Sequence, residues 1–200
     1  MARIGSAEAE MEAVKLAAQL MAAAARTAPK ARGLDSIQTL VLTGEDLEAL
    51  AVAMEARSAD KGSKVSFFGR DADNVRQASA VLLVGVRNDP RRAQRPLDCG
   101  ACGFEGCIEF FRQEKREGED FRGPICAFQL IDLGVALGSA ARTAADMNID
   151  NRMMYSIGTA ARKMGLLDSD LILGIPLSAT GKNPFFDRPI KMAERSKPDQ

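Results

Sequence analysis

The sequence predicts a single α+β domain in which a central sheet is packed by helices. Short apolar segments rich in β-branched and aliphatic residues occur at 37–42, 80–86 and 170–176, which is the pattern of buried strands. The stretches around them show the apolar spacing of helices, and a glycine- and cysteine-rich segment interrupts the pattern at 96–126. A length of 200 residues suits one hydrophobic core, so we expect residues 1–200 to form one domain that carries an inserted loop.

The first helix is predicted to begin at Ser6 and to end near Arg26. Serine is a favoured residue at the start of a helix, and three glutamates follow it where the positive end of the helix dipole lies. Pro29 and Gly33 then predict a loop, since proline and glycine interrupt regular structure. The first strand, 37–42, follows this loop.

Four further helices are predicted on either side of the cysteines. The second helix of the chain follows the first strand and ends near Ala59, and a short helix is expected at 108–117. The helix that begins at Cys126 has apolar residues on nearly every side, which predicts a central position in the fold. A last helix at 151–164 precedes the final strand at 170–176.

The composition excludes several classes of function. The chain carries 27 basic and 27 acidic residues, so its overall charge offers no attraction to nucleic acid or to an anionic membrane surface. No apolar run approaches the roughly 20 residues that cross a bilayer, and no signal-peptide pattern opens the chain, so we expect a cytoplasmic protein with reduced thiols. The absence of histidine excludes a Ser-His-Asp triad and histidine metal ligands.

The four cysteines form the most specific motif of the chain. They fall within 28 consecutive residues, in the spacing C-x2-C-x4-C-x18-C, and are Cys99, Cys102, Cys107 and Cys126. Glycines between the first three allow the backbone to turn tightly and to point amide groups at sulfur. Because a [4Fe-4S] cluster has four iron corners close together, three ligands are expected from one loop and the fourth from a separate segment. The spacing therefore predicts a [4Fe-4S] cluster held by the loop at 96–126.

Two other uses of the cysteines are compatible with the sequence. Zinc also accepts four thiolates, although structural zinc sites usually pair two C-x2-C knuckles and a second knuckle is absent here. Disulfides are typical of small secreted domains, whereas we expect this chain to remain in the cytoplasm.

Several segments resemble the nitroreductase-type flavoprotein fold. AARTAP at 24–29 resembles the region before its first strand, while DLGVALGSAA at 132–141, the helix at 156–164 and GIPL at 174–177 resemble its closing helices and last strand. The cysteine loop is similar to the four-iron cluster loops of electron-transfer and corrinoid iron-sulfur proteins. Together these segments are similar to an uncharacterised bacterial and archaeal family whose members contain a ferredoxin domain.

The nitroreductase resemblance implies FMN bound at a homodimer interface, with basic side chains on the FMN phosphate. The candidates for these contacts, in the loop after the first helix and after the last strand, are Arg26, Lys30, Arg32, Lys182 and Arg188. A homodimer is also expected because the helical segments 128–137 and 157–164 carry more apolar surface than one small sheet covers.

The residues and the resemblance together predict an iron-sulfur protein that acts in electron transfer, either as a carrier or as an FMN-dependent oxidoreductase. The expected partner is a redox protein or a small-molecule electron acceptor. A non-enzymatic protein with a structural or redox-sensing cluster is the alternative.

Overall fold

A computed structural model of the protein describes residues 3–61 and 67–186. The helices and strands in these ranges are, in chain order, α1 (Ser6–Thr27), β1 (Ile37–Leu42), α2 (Glu45–Lys61), α3 (Phe67–Arg76), β2 (Ala80–Val86), α4 (Arg91–Gln94), α5 (Cys107–Arg112), β3 (Arg116–Glu117), β4 (Arg122–Gly123), α6 (Ala127–Asp146), β5 (Asp150–Asn151), α7 (Tyr155–Lys163) and β6 (Leu171–Ser178). A short 3-10 turn, Ala31–Gly33, joins α1 to β1. No helix within the described ranges has the length and apolarity needed to cross a membrane.

The central sheet is antiparallel, with strand order β1, β2, β6, β5, and the short strands β3 and β4 form a separate hairpin. Side chains alternate across a strand, so β2 contributes to two cores: Leu82 and Val84 pack on one face, and Val81 and Leu83 on the other. α1 and α6 cover the first face, whereas α2, α3 and α7 cover the second. The α+β fold predicted from the sequence is confirmed.

The register of the strands defines two ends of the sheet. Ile37 pairs with Val86 and Val86 pairs with Leu171, so the start of β1, the end of β2 and the start of β6 lie side by side. Residues 87–126, which include all four cysteines, leave the sheet from this end and return to it. We therefore name this end of the sheet the cysteine end. The close of β6 and the short strand β5 lie at the opposite end.

The strands at 37–42 and 80–86 are confirmed, whereas two predicted helices differ from the structure. The helix expected at 108–117 is shorter and ends at Arg112, because the residues after it enter the β3–β4 hairpin. The last helix begins at Tyr155 rather than at 151. The residues before it are extended, since β5 pairs with β6 and Met154 also bridges to β6.

The sequence predicted a central position for helix α6. In the structure α6 instead lies beside α1 on one face of the sheet. Leu130, Ile131 and Val135 on its outer side remain 40%, 54% and 42% exposed. Helix α7 behaves differently, because Ile157 and its neighbours are buried within the same chain and, of the apolar residues at 157–164, Met164 alone, just after the helix, is exposed. Uncovered apolar surface was expected on both helices and is found mainly on α6.

Two glycines allow α7 to pack directly on β6. A Cβ atom added at Gly158 would lie 1.7 Å from the carbonyl oxygen of Ile172, and one added at Gly174 would lie 2.0 Å from Cγ2 of Ile157. These distances are far inside van der Waals contact, so neither position accepts a side chain without movement of the backbone or of a core residue. The close approach places α7 against the middle of the sheet.

Candidate metal centre

One small cavity is lined by all four cysteines. Its walls also contain three phenylalanines, Phe104, Phe110 and Phe111, which contact one another edge to face, with ring centroids 5.6 Å and 4.9 Å apart for the two successive pairs. The four cysteines are free thiols. The structure therefore brings the four predicted ligands together in one place, against an aromatic wall that limits the access of water.

The loop that carries the first three cysteines is built around Asp98. Its carboxylate accepts a hydrogen bond from the Cys107 amide at 2.7 Å, and this bond closes the loop on itself. Asp98, Gly100 and Gly103 all have positive φ angles of 47°, 69° and 84°, a conformation that glycine adopts at little cost. As a result the amides of Leu97 and Asp98 donate to the Cys107 sulfur, each at 3.4 Å.

Cys126 reaches the cavity from another part of the chain. It is the residue immediately before α6, and its amide donates to the side-chain oxygen of Asn88 at 3.4 Å. The amide group of Asn88 also donates to the carbonyl of Pro124 at 3.2 Å. Asn88 follows β2, so the fourth cysteine is positioned by the cysteine end of the sheet.

Asp170 connects this segment to the sheet. Its carboxylate is fully buried and accepts hydrogen bonds from the backbone amide of Asn88 at 2.7 Å, from the Lys115 ammonium at 2.5 Å and from the Arg122 guanidinium at 2.6 Å. Burial alone would raise the pKa of Asp170, but Lys115, the Asn88 amide and Arg122 outweigh it and hold the pKa below its ordinary value. An ionised Asp170 thus ties both sides of the cysteine segment to the start of β6.

The cysteine cavity does not have the arrangement of a site for a single metal ion. Within residues 3–61 and 67–186, no group of three or more Cys, Asp or Glu side chains is arranged so that it could hold a metal ion. Two other observations favour metal binding at the cysteines: the four thiols line one cavity, and backbone amides donate hydrogen bonds to the Cys107 sulfur.

The basic residues expected on an FMN phosphate are divided between distant places. Arg26 pairs with Asp35 at 2.5 Å and donates to the Ile37 carbonyl, and Lys30 donates to the Arg26 carbonyl. Arg32 instead lines a cavity beside the cysteines.

Lys182 lies at the opposite end of the sheet from these three residues. It follows β6, and the next residue, Asn183, bonds to Asp150 of β5 at 2.9 Å. Arg188 lies outside the described residues. The sheet is six to eight residues long, about 20 Å or more, so Lys182 does not meet the other candidates within one chain. The described residues of a single chain therefore do not fit a phosphate site built from both loops.

A larger, open pocket adjoins the cysteine site. It has a volume of about 360 Å³, near the lower end of the usual range for small-molecule sites, and its walls include Arg26, Arg87, Arg91, Ser36 and Asn88. Ser36 is only 9% exposed, and its hydroxyl has no hydrogen-bond partner among the described residues. Because Asn88 bonds to the amide of Cys126, this pocket and the cysteine cavity share a wall.

Sequence comparison identifies the family of the chain. An uncharacterized protein from Archaeoglobus fulgidus is 50% identical over 177 residues, which cover 88% of this chain and 92% of the relative. Residues 122–188 match the profile of a family described as "Uncharacterized protein containing a ferredoxin domain" (DUF2148). The chain belongs to this ferredoxin-domain family. The matched segment contains Cys126 but not the other three cysteines, so the profile alone does not cover the whole candidate centre.

Solved structures that share the fold are nitroreductases. A nitroreductase-type protein in complex with FMN from Desulfovibrio desulfuricans aligns over 100% of this chain and 90% of its own, with a TM-score of 0.52 and 15% identity. Nitroreductase A from Vibrio parahaemolyticus covers 93% and 68%, with a TM-score of 0.53 and 12% identity. Identities this low show the fold alone, and they confirm that this member of the ferredoxin-domain family has a nitroreductase-like fold. The family and the fold together indicate an iron-sulfur or redox role.

Several residues of the site were not predicted from the sequence. Asn88 and Asp170 position the cysteine segment, and Arg92 and Asp132 form a buried ion pair next to it. One available signal was a polar residue within two positions of the end of a buried strand, which describes Asn88, two residues after β2, and Asp170, directly before β6. Asp132 was visible as an acidic residue inside an apolar helix, a position that requires a partner.

Proposed function

We propose that the protein binds one [4Fe-4S] cluster through Cys99, Cys102, Cys107 and Cys126 and acts in electron transfer. The observation that carries the proposal is that four free thiols, three from one loop and one from the start of α6, line a single cavity. A cluster bound in this way supplies one-electron transfer.

The residues around the cavity fit such a group. The amides of Leu97 and Asp98 donate to sulfur, and hydrogen bonds of this kind stabilise thiolate ligands and adjust the reduction potential. Cys126 stands at the N-terminus of the 20-residue helix α6, whose positive dipole end favours an anionic group. Phe110 is buried beside the cavity and keeps water away.

The open pocket beside Asn88 supports a small-molecule electron acceptor as the partner. Its arginines, Arg26, Arg87 and Arg91, are paired with Asp35, Asp168 and Asp89, and the hydroxyl of Ser36, which has no partner among the described residues, offers a polar contact to an acceptor. Because Asn88 lies between this pocket and Cys126, an acceptor bound there would be adjacent to the cluster ligands. A redox protein that contacts the exposed residues around Cys99 is the other partner in this proposal.

Anaerobic purification tests the cluster. We expect about four iron and four sulfide ions per chain and a broad visible absorption that is lost in the Cys102→Ser, Cys126→Ser double variant. A zinc measurement on the same sample distinguishes an iron-sulfur cluster from a structural zinc site. Stoichiometric zinc without iron, or an intact iron content in the double variant, would contradict the proposal.

Flavin-dependent oxidoreduction is the second candidate function, and the fold shared with nitroreductases, one of them in complex with FMN, favours it. Since Lys182 lies at the opposite end of the sheet from Arg26, Lys30 and Arg32, a phosphate site that these residues form with Lys182 requires two subunits. FMN added to flavin-free protein should then show saturable fluorescence quenching that Lys182→Ala weakens and the distant Arg142→Ala does not. Absence of saturable binding would exclude this function.

A homodimer and a cytoplasmic location complete the proposal. The exposed apolar residues of α6 support a second copy as the occupant of that surface. Four free thiols in one cavity, outside any disulfide, are compatible with a reducing compartment.

A further inference from the structure

A second small cavity lies against the same thiols and is strongly basic. Cys99, Cys107 and Cys126 form one side of it, and three arginines, Arg32, Arg92 and Arg95, form another. The remaining lining residues are apolar, and no carboxylate is among them. Three arginines therefore line the same cavity as three of the four candidate cluster ligands.

Arg92 is the buried member of this group. Its side chain is 6% exposed and pairs with the carboxylate of Asp132, which is itself buried. The Nε–H of Arg92 has no hydrogen-bond partner among the described residues. Burying a guanidinium is costly unless its charge and its donors are satisfied; Asp132 balances the charge of Arg92, but the Nε–H is left as a buried donor without an acceptor.

Asp132 also positions the second arginine. Its other oxygen accepts the amide of Ala31 at 2.8 Å, which anchors the 3-10 turn that carries Arg32. Arg32 has a φ of 60°, an uncommon conformation for a residue other than glycine, and the turn holds it there. One buried carboxylate thus fixes both Arg92 and the turn of Arg32 next to the cysteines.

Arg32 and Arg95 have no acidic partner among the described residues. The neighbouring arginines do have one, since Arg26 pairs with Asp35 and Arg91 pairs with Asp89. Of the three arginines that line this cavity, Arg92 is paired with Asp132, whereas Arg32 and Arg95 carry positive charge that no carboxylate of the described residues neutralises.

An iron-sulfur cluster on four thiolates carries net negative charge, which increases when it accepts an electron. A free anion in this cavity would be repelled by that charge, whereas the guanidiniums are attracted to it. We infer that Arg32, Arg92 and Arg95 form a cationic wall that raises the reduction potential of the cluster, with Asp132 as the residue that positions it. The reduction adds one electron from an external one-electron donor, and no bond is formed or broken. The inference rests on the cluster proposed above.

Redox titration of the full-length, cluster-loaded protein with dithionite, followed by electron paramagnetic resonance, tests the wall. Arg32→Gln and Arg95→Gln remove exposed charges, so they should lower the midpoint potential while leaving the fold intact. Arg95→Lys should retain most of the wild-type potential because it keeps the charge. Arg142→Gln is the control, since residue 142 lies 16 residues along α6 from Cys126, about 24 Å.

Salt provides a second readout that a merely structural role would not give. The difference between wild type and Arg95→Gln should narrow as ionic strength rises, because exposed charges are screened. Equal potentials in wild type, Arg32→Gln and Arg95→Gln, at equal iron content, would overturn the inference and leave the cluster standing. Wild-type protein without iron and sulfide would overturn the proposed function and this inference with it, and the iron analysis alone identifies that outcome.

Discussion

The negative charge of Asp170 holds the cysteine segment against the sheet. It is buried at the start of β6 and is bonded to an ammonium, a guanidinium and a backbone amide, all from the segment that carries the cysteines. Removing its charge leaves Lys115 without an acidic partner among the described residues and leaves Arg122 with two more distant carboxylates, Glu117 and Asp168, each at 3.9 Å; both cations are partly exposed and can be hydrated again. The loss should therefore be smaller than for a fully buried pair.

We expect Asp170→Asn to lower the free energy of unfolding at pH 7 by about 2–3 kcal/mol. Urea denaturation of both proteins measures this difference. Asp168→Asn, which changes an exposed carboxylate two residues away, should alter stability by no more than about 0.5 kcal/mol. Equal losses in the two variants would show that Asp170 has no special role.

The lowered pKa of Asp170 also predicts a pH dependence. The folded state holds the ionised carboxylate, so its pKa lies below the unfolded value of about 3.9. The stabilisation is therefore complete at pH values above about 3.9 and is lost as pH falls below that value through the folded pKa. The stability difference between wild type and Asp170→Asn should accordingly shrink in acid.

At the scale of single elements, the contact between α7 and β6 depends on the absence of a side chain. Gly158→Ala would place a methyl group on the Ile172 carbonyl, and backbone atoms cannot move aside as a flexible side chain can. We expect a loss of about 3 kcal/mol or more in unfolding free energy. Gly69→Ala in α3, where an added Cβ meets nothing within 4 Å, should be neutral or stabilising by up to about 1 kcal/mol. The melting temperatures of the two variants test this prediction. Similar melting temperatures for Gly158→Ala and Gly69→Ala would contradict it.

The elements that were predicted from the sequence are those specified by local pattern. β2 is a continuous apolar run, β1 is short and rich in aliphatic residues, and the three clustered cysteines lie in one loop, so neighbouring residues carry the information. α3 was not predicted, although Phe68, Ala72 and Val75 mark one buried face at helical spacing; the polar residues between them hide the pattern.

The remaining features depend on contacts between residues that are far apart in the chain. Asn88 meets Asp170 across 82 residues, and Arg92 meets Asp132 across 40, so no local spacing indicates these bonds. The start of α7 was misplaced for the same reason, since β5 is extended only because it pairs with β6. Lys182 was joined to the basic residues before β1 by analogy, whereas the sheet register separates it from them.

For the whole molecule, the exposed side of α6 predicts self-association. Wild-type protein should sediment at micromolar concentration with about twice the chain mass of 21.5 kDa. Ile131→Glu combined with Val135→Glu should shift it to one chain mass, because two charges would be buried in an apolar interface. Val52→Glu, which changes an equally exposed residue on α2 in the other helical layer, is the control. A wild-type mass near one chain would contradict the prediction.

The position of Cys126 has a consequence for how the protein is made. Its amide is held by Asn88, and Asn88 is held by Asp170 at the start of β6. The first three cysteines are synthesised some 70 residues before the chain reaches Asp170, yet the fourth is not in place until that residue has left the ribosome and β6 has paired with β2. We therefore expect insertion of the proposed iron-sulfur cluster to be a late step in biosynthesis, completed only on a chain whose sheet has already formed.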